Sequence, residues 1–144
     1  MSTEENKAIV RRYLEESSRG NLAVVDELIA PNFVAHNPEA APSPKGPEGQ
    51  KRLITAIRET FPDFRIIPQD MIAEDDKVAV RYVVQGTQKG DYLNLPPTAK
   101  RINVAGVAIY RLEGGKIAEL WSNIDTLGMM EQLGIRLQPE QAGS

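Results

Sequence analysis

The chain has 144 residues with a formal net charge of −3, and 41% of it is apolar. That length suits one domain spanning 1–144, and the acidic balance argues against a nucleic-acid partner. The absence of cysteine excludes disulfides and thiolate chemistry, and the single histidine, His36, leaves too few ligands for a transition-metal site.

In chain order, the polar start "MSTEENK" does not read as a secretory signal, no apolar run is long enough to span a bilayer, and the cytoplasm is the expected location. Ser2 and Glu5 have capping-box spacing before a helix whose stripe is Ile9, Val10, Tyr13 and Leu14. "RGN" (19–21) ends that helix. Asn21 can cap a second one, with Val24, Val25, Leu28 and Ile29 on its buried face and Pro31 after it. "NFVAHN" (32–37) is short and extended. Four prolines between 38 and 47 mark a surface loop with the character of a lid. Pro47 suits the first turn of a third helix with the stripe Leu53, Ile54, Ile57 and Phe61, ended by Pro62.

From there the period changes to two. The segments 64–73, 77–88, 101–112 and 117–125 read as four sequential antiparallel strands, with an acidic turn at 74–76 and the Gly-rich hairpin turn "EGGK" at 113–116. The segment "LGMMEQLGI" closes as a short helix packed by Leu127, Met130 and Leu133, and residues 137–144 read as disordered. Helices first and strands second give an α+β class. A strongly curved antiparallel sheet wrapped around the N-terminal helices would make a cone-shaped barrel with an internal pocket for a small hydrophobic or aromatic ligand. The two longest strands carry apolar residues on both faces, Val78, Val80, Tyr82 and Val84 against Ala79 and Val83, and Val104 and Ala108 against Val107 and Ile109. One face covers the pocket. The other predicts a homodimer.

The chemistry-bearing stretch is "ELWSNIDTLGMMEQLG" (119–134), in which Glu119, Trp121, Asn123 and Asp125 fall at every second position. They share one strand face, and the expectation is that this face lines the cone. Two readings stand for Asp125, a general acid/base in an apolar cavity or the N-cap of the last helix. Asn123, about 7 Å away by strand rise, is either a hydrogen-bond donor to a substrate oxygen or a solvated residue. Trp121 is a core aromatic that also walls the cavity, and Glu119 is a solvent-facing ion-pair partner. His36 either polarises a substrate carbonyl or orients Asp125, or it is a hydrogen-bonded structural histidine at the cavity rim. Arg81, between Val80 and Tyr82, needs Glu119 or Asp125 as partner if buried, and it serves structural pairing, tuning of the carboxylate's pKa or binding of a ligand carboxylate.

The stretches "FVAHNP" (33–38), "GPEGQKRLITAIRETFPDFR" (46–65), "DDKVAVRYVVQGTQKG" (75–90), "LPPTAK" (95–100), "YRLEGGKIAELW" (110–121) and "DTLGMMEQLG" (125–134) together resemble the SnoaL-like polyketide cyclase (ester cyclase) branch of the nuclear-transport-factor-two-like superfamily. The resemblance runs from about Lys7 to Ile135. It implies ring closure by intramolecular aldol condensation without metal or cofactor, with Asp125 in the position of the family's acid/base aspartate. Two departures stand out. Gln88 occupies a position where the family often has His, and Ala99 one where it often has Gly. The alternatives are a non-catalytic binding protein for a hydrophobic ligand and an epoxide or ester hydrolase built on the same cone.

Overall fold

The computed structural model describes residues 2–36, 46–92 and 96–135. The expected lid loop and C-terminal tail lie outside them. The elements run α1 (Thr3–Ser18), α2 (Ala23–Leu28), β1 (Ile29–His36), α3 (Gly46–Thr60), β2 (Arg65–Glu74), β3 (Lys77–Thr87), β4 (Arg101–Glu113), β5 (Lys116–Ile124) and α4 (Thr126–Gln132). The class is α+β, as expected.

Helix α1 starts where its capping box predicts. The Ser2 hydroxyl accepts from the Glu5 amide at 3.1 Å, and the Glu5 carboxylate accepts from the Ser2 amide at 3.2 Å. Its Val10, Tyr13 and Leu14 are buried. The N-cap of α2 is Leu22, not Asn21; Asn21 stands one residue earlier, where its side-chain oxygen accepts from the Ala23 amide at 3.2 Å. That helix is shorter than its apolar stripe suggests, because Ile29 already belongs to β1.

Two expectations about the sheet are corrected. Among the described residues it has five strands in the order β1-β5-β4-β3-β2, and these do not close into a barrel: β1 and β2 are the edges. The fifth strand is the "NFVAHN" segment, which pairs in parallel with β5 and places His36 opposite Trp121. A parallel partner this far away in the chain leaves no hairpin signature in sequence.

The β4–β5 hairpin decides which side chains reach the interior. Gly114 and Gly115 both have positive φ, 58° and 81°, as a two-residue hairpin turn needs. Leu112 pairs with Ile117, but Arg111 pairs with Glu119, so Ala118 is one extra residue in β5. Ile117 and Ala118 are both buried at this bulge. Beyond it the inward positions of β5 are the even ones, Leu120, Ser122 and Ile124.

Helices α1 and α3 cover the inner face of the sheet. The core holds Val10, Leu14 and Val25 from the helices, with Val78, Val80, Val104 and Ile117 from the strands, each at most 3% exposed. Burying one such side chain contributes about 1.5–3 kcal/mol.

Candidate functional site

Between α1, α3 and the inner sheet face lies a partly open cavity of about 340 Å³. Its walls are mostly hydrocarbon, including Leu14, Ile54 and Ile57 from the helices and Val84, Ile102 and Leu120 from the strands. Small side chains hollow out the sheet side. Ala108 and Ser122 are paired neighbours on β4 and β5 and both line the cavity. Gly106 pairs with Tyr82, and a Cβ at 106 would stand 2.5 Å from the Tyr82 Cζ, so only glycine lets that ring lie flat across β4.

The polar groups of the cavity come from opposite layers. Tyr13 and Gln50 project from α1 and α3, and the Gln50 Nε2 donates to the Tyr13 hydroxyl oxygen at 2.9 Å. Tyr82, Tyr110 and Ser122 project from the sheet. Burial pushes the Tyr13 hydroxyl up to about 12, against a smaller opposing effect of the Gln50 hydrogen bond. It also holds Tyr110 well above the ordinary phenol value, helped by the nearby Tyr13 and Tyr82. Both stay protonated across the physiological range and are hydrogen-bond donors. Arg58 is the single charged side chain among the described lining residues, and it is occupied: its two terminal nitrogens donate to the Ser18 and Pro62 carbonyls, each at 2.6 Å. No carboxylate or imidazole is among the described lining residues. Nor do three His, Asp or Glu side chains gather among the described residues to hold a metal ion.

The face expected to line the cone points the other way. Glu119, Trp121 and Asn123 are on the outer side of β5, because the bulge at Ala118 puts Leu120, Ser122 and Ile124 inside. On that outer side the Glu119 carboxylate accepts from Arg111 Nε at 2.9 Å and from His36 Nε2 at 2.7 Å. The His36 ring stacks on Trp121 with centroids 5.4 Å apart and planes 17° from parallel. Arg111, followed by His36, holds the Glu119 carboxyl below the usual range. Asn123 is exposed, opposite Val107. Arg81 is exposed on the outer side of β3, opposite Asp70 and Val107, so it needs no buried carboxylate. His36, Trp121, Asn123 and Arg81 are therefore a surface set, and His36, Trp121 and Glu119 alone of the predicted cluster are brought into contact.

Asp125 sits past the end of β5 and is exposed. It caps α4: its Oδ1 accepts from the Gly128 amide at 2.9 Å. It is not itself among the lining residues, but Ile124 before it and Met129 after it both are. In α4, Leu127 is 53% exposed, so the helix packs through Leu133 and Met129 rather than through Leu127.

The two departures from the family pattern also find their places. Gln88 is 1% exposed and stitches the segment after β3: its amide donates to the Gly90 carbonyl at 3.0 Å and accepts from the Thr98 hydroxyl at 2.7 Å. It is outside the cavity lining. Ala99 has φ 58°, a left-handed conformation that costs a non-glycine residue about 1–2 kcal/mol.

The residues missed in sequence are Tyr13, Gln50, Tyr82, Tyr110 and Ser122. Tyr13 and Tyr82 counted as members of apolar stripes, which hides a hydroxyl. The alternation Leu120–Ser122–Ile124 was the available signal for the inward face of β5.

A family model described as SnoaL-like polyketide cyclase matches residues 7–133. The aklanonic acid methyl ester cyclase DnrD of Streptomyces peucetius is 27% identical over 132 residues, covering 88% of each chain. Among solved structures, TsrD from Streptomyces laurentii superposes with a TM-score of 0.84 at 26% identity, covering 94% of this chain and 99% of that one. IdmH from Streptomyces antibioticus, described as a candidate polyketide cyclase, has a TM-score of 0.79 at 30% identity, covering 90% of this chain and 99% of its own.

Proposed function

Because this chain belongs to the SnoaL-like polyketide cyclase family, we propose that it closes a ring in a small polyketide-like carbonyl compound by proton transfer, without metal or cofactor. The observation that carries the reading is the cavity between the helices and the inner sheet face, large enough for a small polycyclic or aromatic ligand and walled by hydrocarbon with a few placed hydroxyls. In an aldol closure a base takes the proton next to one carbonyl. The resulting carbon attacks a second carbonyl, and an acid returns a proton to the new alkoxide oxygen. We assign the acid/base role to Asp125. Its flanking residues Ile124 and Met129 line the cavity, which supports a carboxylate at the mouth. The Gly128 hydrogen bond occupies Oδ1 and orients the group.

The test is Asp125→Asn, assayed with aklanonic acid methyl ester, the compound after which the relatives are named, and with related diketones. Asparagine keeps the α4 cap. Turnover should fall by about 10²–10⁴, while ligand affinity changes less than threefold. Undiminished turnover would reduce Asp125 to a cap.

One observation favours a second reading, a carrier that binds without converting. The described lining holds no carboxylate or imidazole. Stoichiometric binding of a diketone that is recovered unchanged from the wild-type protein would decide for the carrier.

We further propose a homodimer through the outer sheet face, where Val107 and Ile109 are 51% and 39% exposed beside Ala79, Val83 and Ala105. Light scattering at micromolar concentration should give twice the monomer mass. The monomer mass would sink the idea.

A further inference from the structure

We propose that Tyr110 and Tyr13 form a two-donor site for one carbonyl-type oxygen of a neutral ligand. This rests on the cavity being the ligand site, as proposed above.

Buried hydroxyls nearly always have a hydrogen-bond partner, so one without a partner calls for an explanation. Tyr110 is 5% exposed, lines the cavity, and has no hydrogen-bond partner among the described residues. Its oxygen is not among the sealed, unsatisfied atoms, of which the Asn6 Oδ1 is the one found among the described residues. Tyr110 is one of the residues that wall the cavity, and we take its hydroxyl as the group offered to that space. Tyr13, 4% exposed, faces it from the helix layer. Its oxygen accepts from Gln50, which leaves its own proton to be donated elsewhere.

Two protonated phenols from opposite walls thus present donors in a hydrocarbon space, with no free cation beside them because Arg58 is tied to backbone carbonyls. A carboxylate would lose its hydration there without gaining a counter-charge. A ketone or ester oxygen loses little and gains one or two hydrogen bonds. When a proton leaves the neighbouring carbon, charge moves onto that oxygen, and the same donors hold it more strongly.

The probes are 2-acetylnaphthalene and its oxygen-free analogue 2-ethylnaphthalene, titrated calorimetrically into the full chain. Tyr110→Phe removes only the hydroxyl. It should weaken the ketone about five- to tenfold, as loss of one hydrogen bond implies, and leave 2-ethylnaphthalene within twofold. Tyr13→Phe should act in the same direction, which keeps the test open if one variant does not fold. The ketone carbonyl stretch should lie lower in the wild-type complex than in hydrocarbon solvent, and move back up in Tyr110→Phe. Equal loss for both naphthalenes, an unmoved carbonyl stretch, or no ketone binding at millimolar concentration would overturn the proposal. None of these readouts needs turnover. Ketone selectivity that depends on Tyr110 while Asp125→Asn stays fully active would therefore reject the acid/base assignment and leave this site standing.

Discussion

The inner and outer faces of β5 are one residue apart and differ in kind. Outside, the charged groups of β5 and its neighbours satisfy one another: His36 and Arg111 both bond the Glu119 carboxylate, and His36 stacks on Trp121. Inside, the wall is hydrocarbon and Tyr110 keeps a hydroxyl that no described residue takes up. A row of charges on a strand looks like chemistry in a sequence, yet here it is a mutually satisfied surface. The better mark of a ligand site is a polar group whose partner is missing, set among side chains that exclude water.

The comparison is broken most strongly by adding the same bulk on either side of one strand. Ala108 is 2% exposed and lines the cavity, while its neighbour Val107 points outward. Ala108→Phe should fill the cavity, weaken 2-acetylnaphthalene at least about 100-fold, and cost about 1–3 kcal/mol from overpacking. Val107→Phe should leave the affinity unchanged within twofold. Calorimetry and urea unfolding of the pair measure both, and similar losses in the two variants would erase the distinction between the faces.

A smaller effect comes from the outer network alone. The folded-state carboxyl of Glu119 is held below its ordinary value, first by Arg111 and then by His36. A group with a depressed pKa adds stability that is fully present above the unfolded value and is lost as pH falls through the folded one. Glu119→Gln should therefore flatten the acid limb of a stability profile taken by urea unfolding below neutral pH, with no change in cavity binding. An acid limb identical to wild type would remove the network from the account.

The smallest expected effect is none. Trp121 is on the outer face against His36, so saturating the cavity with 2-ethylnaphthalene should leave its emission maximum in place. A shift on binding would put the indole back at the cavity wall.

Much of the fold was legible because it is written in local periodicity. The capping box of Ser2 and Glu5, the stripe of α1, the Pro62 stop and the two-glycine hairpin each depend on residues close in sequence. What escaped depends on pairing at a distance. The parallel pairing of β1 with β5 has no turn to announce it. The shared face of Glu119, Trp121 and Asn123 was read correctly as one face, but its direction is set by an extra residue at Ala118 that only the β4 register reveals. The cavity tyrosines escaped for a chemical reason. Phenols pattern as apolar side chains, so Tyr13 and Tyr82 looked like packing. The N-cap reading of Asp125, by contrast, needed only an aspartate just before the last helix, and its hydrogen bond is formed.

The bulge at Ala118 has an evolutionary side. Residues paired across two strands share a face, so with Ala118 deleted and the glycine turn held, Glu119 would still meet Arg111 outside and Leu120 would still meet Tyr110 inside. The deletion straightens β5 and turns nothing over. The faces exchange only if the extra residue is kept and drawn into register, with Ala118 opposite Arg111, because a one-residue slip moves every later side chain to the other side. Glu119, Trp121 and Asn123 would then enter the cavity, and Leu120, Ser122 and Ile124 would face outward. The hydrocarbon pocket is therefore indifferent to losing this residue and depends on its staying unpaired. An Ala118-deleted protein should keep its cavity ligands and leave Trp121 emission unmoved by them.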